Sequence, residues 1–178
     1  MTSIIKVNEI QDAGGNTILS SNGTGTFTSN LPNNTPAFHA YLSSTQSGTN
    51  SSFVKLNANT EVYDTDNCYD NSTNYRFTPN VAGKYYFYLN CEIAVDAYAM
   101  FSCGLLFYKN NSQYSFQQNA INSNVLLSTP QHHSQIIDMN GTTDYVEAYI
   151  WCQRHTGTVV NFNSNNKATY FGAYKIIE

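Results

Sequence analysis

Apolar and aromatic residues along this chain recur in short runs that alternate with polar residues, the two-residue period of half-buried strands. Across 84–96, Tyr85, Phe87, Leu89, Cys91 and Ile93 fall on one face of an extended strand, and Tyr86, Tyr88, Asn90 and Glu92 on the other. The first set predicts a core. The second carries two tyrosines, flat groups with a polar tip that suit a protein–protein contact better than open water. Upstream, an Asn-rich turn leads through Tyr75 and Phe77 into a corner running from Pro79 to Gly83. Pro79 presets its own φ and Gly83 can take conformations closed to other residues, so the corner joins two strands. The alternation returns at 145–152, with Tyr145, Glu147, Tyr149 and Trp151 facing one way and Val146, Ala148, Ile150 and Cys152 the other.

Further strands are predicted at 37–41, 53–56, 62–63, 74–77, 98–108, 114–116, 124–127, 132–139 and 168–177, where β-branched and aromatic residues lie between Asn/Gly/Ser clusters. Asn140-Gly141 is a tight-turn dipeptide. No window sustains apolar residues at i, i+3, i+4 and i+7, so helices are not expected. Strands spaced by roughly 8–15 residues without helices between them predict a sandwich or jelly roll.

Residues 1–35 follow a different pattern. A strand is predicted at 3–10, a turn at 12–16 and a short return at 17–19, while 20–34 is rich in Ser, Asn, Gly and Thr. That last stretch has too little apolar surface to pack alone and reads as a linker. A hairpin of this size is marginal in isolation. Its apolar residues Ile4, Ile5, Val7 and Ile10 are therefore expected to dock on the main domain, on sister chains or on another protein. The chain divides into an attachment arm with its linker (1–35) and a β-domain (36–178).

Charged residues make up 11% of the chain, and the net charge of −4 comes without a basic block. A nucleic-acid partner is not expected on that ground. No run approaches the ~20 apolar residues of a membrane span, so membrane insertion is not expected either. The first residues, MTSIIKVNEI, lack the apolar segment of a secretory signal. Cys68, Cys91, Cys103 and Cys152 have no CxxC spacing. They read as buried thiols, and a disulfide stays open for a protein working outside a cell.

Asp64, Asp66, Asn67 and Asp70 form an acidic loop cluster that reads either as solvated turn acids or as oxygen ligands for calcium, the one cofactor this sequence suggests. His132-His133 cannot easily share a zinc ion with His155, because adjacent strand residues face opposite ways. A Gly-x-Ser-x-Gly nucleophile elbow is missing, and no catalytic residues are assigned. An enzyme is not expected.

From Pro36 to Ile177 the chain resembles the C1q/TNF-like domain. PAFHAYLSS, from Pro36, resembles that family's first strand, and YDNSTNYRFTPNVAGKYYFYLNCEI its aromatic–corner–Gly-x-Tyr-x-Phe signature, with Gly83, Tyr85 and Phe87 in the last three places. Asn140-Gly141-Thr142-Thr143-Asp144-Tyr145-Val146 sits where the family has a Gly-Asp-x-Val turn, and Tyr170-Phe171-Gly172-Ala173-Tyr174 resembles its closing strand. The resemblance implies an all-β fold, a ten-stranded antiparallel jelly-roll sandwich that assembles as a homotrimer with aromatic residues near the threefold axis. Tyr85, Tyr86, Phe87, Tyr88, Tyr149, Trp151 and Tyr174 are then the candidate interface, either side of the 85–88 strand being eligible to face the axis.

A second resemblance lies at the N-terminus. Ser3-Ile4-Ile5-Lys6-Val7-Asn8-Glu9-Ile10, followed by Gly14-Gly15, is similar to the short leader on small structural proteins of tailed phages, where it precedes a variable β-domain. It implies a virion protein assembled in the host cytoplasm and fixed to other virion proteins through Ile4, Ile5, Val7 and Ile10. The function expected is a non-enzymatic trimeric knob, a capsid decoration or short tail or fibre appendage. Its polar loops (43–52, 64–74, 110–123, 153–167) would contact a host-surface glycan. The alternative is a cellular C1q/TNF-like lectin or ligand-binding protein. A glycan-cleaving enzyme would need paired carboxylates in one cleft.

Overall fold

In the computed structural model, residues 7–29, 33–96, 100–121 and 125–177 are described, and the chain divides between Asn33 and Asn34 into two compact units. Ile4 and Ile5 lie outside the described residues. The first unit is an antiparallel sheet of three short strands in the order β1 (Glu9–Gln11), β2 (Thr17–Ser21) and β3 (Phe27–Ser29). Asp12 closes the first turn, its Oδ1 accepting the N–H groups of Gly14 and Asn16 at 2.8 and 2.9 Å. The third strand departs from the expected linker. Asn22 Oδ1 accepts the N–H groups of Thr24 and Thr26, which turns the chain back so that Phe27–Ser29 pairs with β2. A local side-chain turn, invisible in hydrophobic patterning, makes the strand.

The second unit, Asn34–Ile176, is a two-sheet sandwich. Its strands are β4 (Ala37–Tyr41), β5 (Gln46–Thr49), β6 (Phe53–Lys55), β7 (Thr60–Asp64), β8 (Tyr69–Asp70), β9 (Arg76–Phe77) and β10 (Gly83–Ala94). They continue with β11 (Met100–Lys109), β12 (Ser112–Ala120), β13 (Ser128–Met139), β14 (Val146–Arg154), β15 (Val159–Asn163) and β16 (Tyr170–Lys175). In the first sheet β10 is central. It pairs along its whole length with β13, and its other edge takes β16 and then β15. β16 continues to β4 and β7, and β15 to β5. The second sheet runs β12-β11-β14, with β6 and the β9-β8 pair sharing the far edge of β14. Edges broken in this way give thirteen strand segments among the described residues of this unit, rather than ten unbroken strands.

Between the sheets lies an aromatic core. Phe38 stacks on Tyr69 and Phe77 at ring-centroid distances of 4.3 and 4.6 Å and meets the edge of Phe171 at 5.0 Å. Tyr85, Phe87, Leu89, Cys91 and Ile93 all point into it, as do Val146, Ala148, Ile150 and Cys152. All four thiols are buried and unpaired, with Cys103 and Cys152 opposed across the β11–β14 pair. Burial pushes Cys103 up to about 12 and Cys152 up to about 11, so neither is a nucleophile near neutral pH.

Several spans read as loops are paired strand. β5 lies within 43–52, β15 within 153–167, and β12 occupies most of 110–123. β15 buries Val160 and Phe162, and β5 follows because Gly48 lets the Phe162 ring lie against its backbone. In β12 apolar alternation is confined to Tyr114 and Phe116, the strand predicted at 114–116, and the rest is recruited by the backbone of β11. Conversely, 125–127 is not strand, and β13 begins at Ser128. Asn140-Gly141 forms a wider loop than a two-residue turn. Asn140 Oδ1 accepts the N–H groups of Thr142, Thr143 and Asp144 at 2.9–3.0 Å.

Candidate functional site

Antiparallel register places the outward side chains of the first sheet in three transverse rows. One row reads Tyr63, His39, Gly172, Tyr88, Ser134 from β7 to β13. A second reads Ala37, Tyr174, Tyr86, Ile136, and a third Tyr41, Tyr170, Asn90, His132. Side chains directly opposite on neighbouring strands touch, and here they merge into one aromatic surface. The His39 ring lies 5.2 Å from Tyr170, 5.8 Å from Tyr88 and 6.2 Å from Tyr63, while Tyr86 lies 5.5 Å from Tyr174. Gly172 is what lets Tyr88 lie flat: a Cβ there would sit 2.3 Å from the tyrosine ring.

Tyr63, Tyr174 and Ile136 are exposed, Ile136 to 49%. The three rows contain no carboxylate, lysine or arginine. A cation borders it at Tyr41, where Lys167 Nζ sits over the ring at 4.7 Å. Polar tips are joined within the surface, with His39 Nδ1 and the Tyr88 hydroxyl 3.1 Å apart. Such a surface is a large apolar, uncharged patch with a few internally paired polar atoms, the composition of an interface centre.

Burial among these rings, and secondarily Lys167, lowers the pKa of His39 from its usual 6.5. The folded protein therefore binds this proton less readily than the unfolded chain. Stability is present above pH ~6.5 and is lost as pH falls below it. His133 is shifted in the same sense within the sandwich, where it stacks on Phe107 at 4.9 Å. Chemical denaturation at pH 7.5 and 5.5 is expected to show a loss on acidification that is smaller in His39→Gln than in the parent. An unchanged pH dependence in the variant would assign the effect elsewhere.

The candidate interface residues separate into three places. Tyr86, Tyr88 and Tyr174 lie together on this face. Tyr85 and Phe87 are a correction: both are fully buried in the protomer's own core, because strand alternation puts them under Phe77 and Phe171. Tyr149 and Trp151 lie on the outside of the second sheet, beside Tyr108 at 4.3 Å and Phe116 at 6.1 Å respectively. Two faces on opposite sides of a sandwich point apart, and a closed threefold ring cannot bring them together directly. His39, Tyr41, Tyr63 and Tyr170 were not foreseen at the site. The alternation Phe38 and Ala40 inward, His39 and Tyr41 outward, already carried that information.

The acidic cluster is not gathered into a cation site. Asp70 accepts N–H groups from Ser72, Thr73 and Asn74 at 2.9–3.1 Å, with the Ser72 hydroxyl and the Asn74 amide as further donors, which holds its carboxyl far below the usual range. Asp64 accepts from Tyr69 N at 2.7 Å, and Asp66 from the Thr65 hydroxyl. These oxygens close their own loop, and no group of three His, Cys, Asp or Glu side chains among the described residues is arranged to hold a metal. A polar cleft of ≈ 550 Å³ lies alongside, lined in part by Glu61, Asp70 and Arg76.

No protein-family model matches the chain, and no curated protein matches it. Solved structures do. The Eiger TNF structure from S. frugiperda aligns with a TM-score of 0.59 at 8% identity, over 82% of this chain and 95% of that one. The globular domain of zebrafish complement 1qA aligns at 0.56 and 15%, over 80% and 98%. Murine APRIL aligns at 0.56 and 10%, over 79% and 98%. The fold is a TNF/C1q-type jelly roll. At such identities the likeness concerns the path of the chain and the order of its strands.

Proposed function

We propose that this chain is a non-enzymatic assembly protein. Three copies close round an axis through the aromatic face of the first sheet, and the resulting C1q-like knob is fixed to a tailed-phage particle by the N-terminal unit. The observation that carries the reading is the surface built by His39, Tyr63, Tyr86, Tyr88, Tyr170 and Tyr174, which is aromatic, uncharged and partly exposed in one protomer. The resemblance to C1q/TNF-like domains supplies the number three, and the jelly-roll fold is consistent with it. The leader-like sequence ending Val7-Asn8-Glu9-Ile10 supplies the particle.

Catalysis has little to work with. Asp70 and Glu61 both line the polar cleft, but Asp70 is saturated by donors from its own loop, which leaves Glu61 alone where hydrolysis of a glycosidic bond needs two free carboxylates. Contact with a host-surface glycan falls to the polar turns at the ends of the sandwich and to the Ser/Gln/Asn-rich edge strand β12.

The test is deletion of residues 1–33. The shortened protein is expected to scatter light as three chain masses and to fail to co-sediment with particles that retain the full chain. Incorporation of the shortened protein would remove the attachment role, and a monomeric full-length protein would remove the assembly role.

A further inference from the structure

The small N-terminal sheet has an apolar face of its own. Register puts Ile10 of β1 opposite Leu19 of β2, and alternation brings Phe27 of β3 to the same side. Ile10 and Phe27 are exposed, Phe27 to 70%, and with Val7, Leu19 and Glu9 they line a mostly apolar groove of ≈ 190 Å³. Three strands of three to five residues cannot bury such a face by themselves.

We infer that this face is covered by the same unit of two other copies, so that three small sheets pack as a three-sided β-prism. The inference rests on the trimer proposed above and goes beyond it, because it removes the apolar face from the surface available to the particle.

Three observations select sister copies as the occupant. The first is where the chain enters the sandwich. Asn34 Nδ2 donates to the Lys175 carbonyl at 2.9 Å, and Ala37, three residues on, pairs with Tyr174 on the aromatic face. If that face surrounds an axis, so do the three Asn34 residues.

The second is reach. Five residue steps separate Ser29 from Asn34, a segment that spans at most ~18 Å. Three small sheets started round one axis on such short tethers meet at an effective concentration on the order of millimolar, which no separate partner matches at ordinary concentrations.

The third is charge. The face of Ile10, Leu19, Ser21, Phe27 and Ser29 carries no ionisable group. Glu9 also lines the groove, its carboxylate bonded to the Thr17 hydroxyl of its own sheet, and Asp12 is held in its turn by Gly14 and Asn16. Identical copies therefore meet over side chains that carry no charge, with the one carboxylate of the groove already bonded within its own sheet.

Hydrogen exchange on the full chain, read beside light scattering, tests the prism. The β2 amides, flanked by a strand on each edge, are expected to be protected in the trimer. Two variants should lower that protection by about tenfold or more: a Tyr86→Ser/Tyr88→Ser monomer, and Phe27→Asp, which puts a charge on each apolar face and stays trimeric through the knob. Equal protection in the monomer, or retained protection in trimeric Phe27→Asp, would overturn the inference. So would a wild-type trimer whose β2 amides are protected only when particles are added. A monomeric wild-type chain refutes the proposed assembly itself, whereas a trimer with unprotected β2 amides refutes the prism alone.

Discussion

Replacing Tyr86 and Tyr88 together by serine is expected to dissociate the trimer while leaving the protomer folded. Both side chains project from β10 away from the core, whose inward set from Tyr85 to Ile93 is untouched. What changes is the outer surface. Without Tyr88, the His39 ring loses its hydroxyl partner and Gly172 is left as a bare dent. Without Tyr86, Tyr174 loses its neighbour on β10. Tyrosines at the centre of an interface commonly contribute on the order of 2 kcal/mol each. The pair is then worth about 4 kcal/mol at every protomer–protomer contact, close to a thousandfold in affinity. Light scattering should return one chain mass at concentrations where the parent gives three, with the far-ultraviolet β signal retained. Tyr149→Ser/Trp151→Ser, on the opposite sheet, should leave the mass unchanged. If the second pair dissociates the assembly and the first does not, the interface has been placed on the wrong sheet.

Phe38→Ala should produce the largest loss of stability from a single substitution. Phe38 is fully buried and stands between Tyr69 and Phe77, with the edge of Phe171 closing the stack. It thereby ties β4 of the first sheet to β8 and β9 of the second. Truncating a buried phenylalanine costs about 3–5 kcal/mol, partly through transfer and partly through the cavity left behind. For a domain of this size that lowers Tm by roughly 10 °C or more. Denaturation followed by the single tryptophan, Trp151, measures it. Parent and variant must be compared at one protein concentration, since assembly raises apparent stability by mass action. A loss below about 1 kcal/mol would mean the stack is not the junction of the two sheets.

The long strands were legible because their burial is one-sided. In β10 and β14 a period of two is imposed by the pleat and a core lies on one side only, so the inward and outward sets could be written down residue by residue. The same pattern in Phe38-His39-Ala40-Tyr41 marked His39 and Tyr41 as outward, although nothing local said that Tyr63, Tyr170 and Tyr174 would stand beside them. β5 and the parts of β12 beyond 114–116 were illegible for the opposite reason. Their residues bury little, and they are strands because neighbouring backbone needs partners, a demand that side-chain patterning does not record.

The sequence by itself determined an all-β sandwich, its longest strands, and which side of each is core. These follow from local alternation and from turn residues that act within a few positions. Only the tertiary structure decided which outward residues share a surface. Tyr86 and Trp151 look equivalent along the chain, each being aromatic on the polar side of an alternating strand. Pairing placed one on the first sheet and the other on the second, facing opposite ways. Strand partners, set by contacts between residues far apart in the chain, turned separate tyrosines into one face, and turned the carboxylates of 64–70 inward onto their own loop.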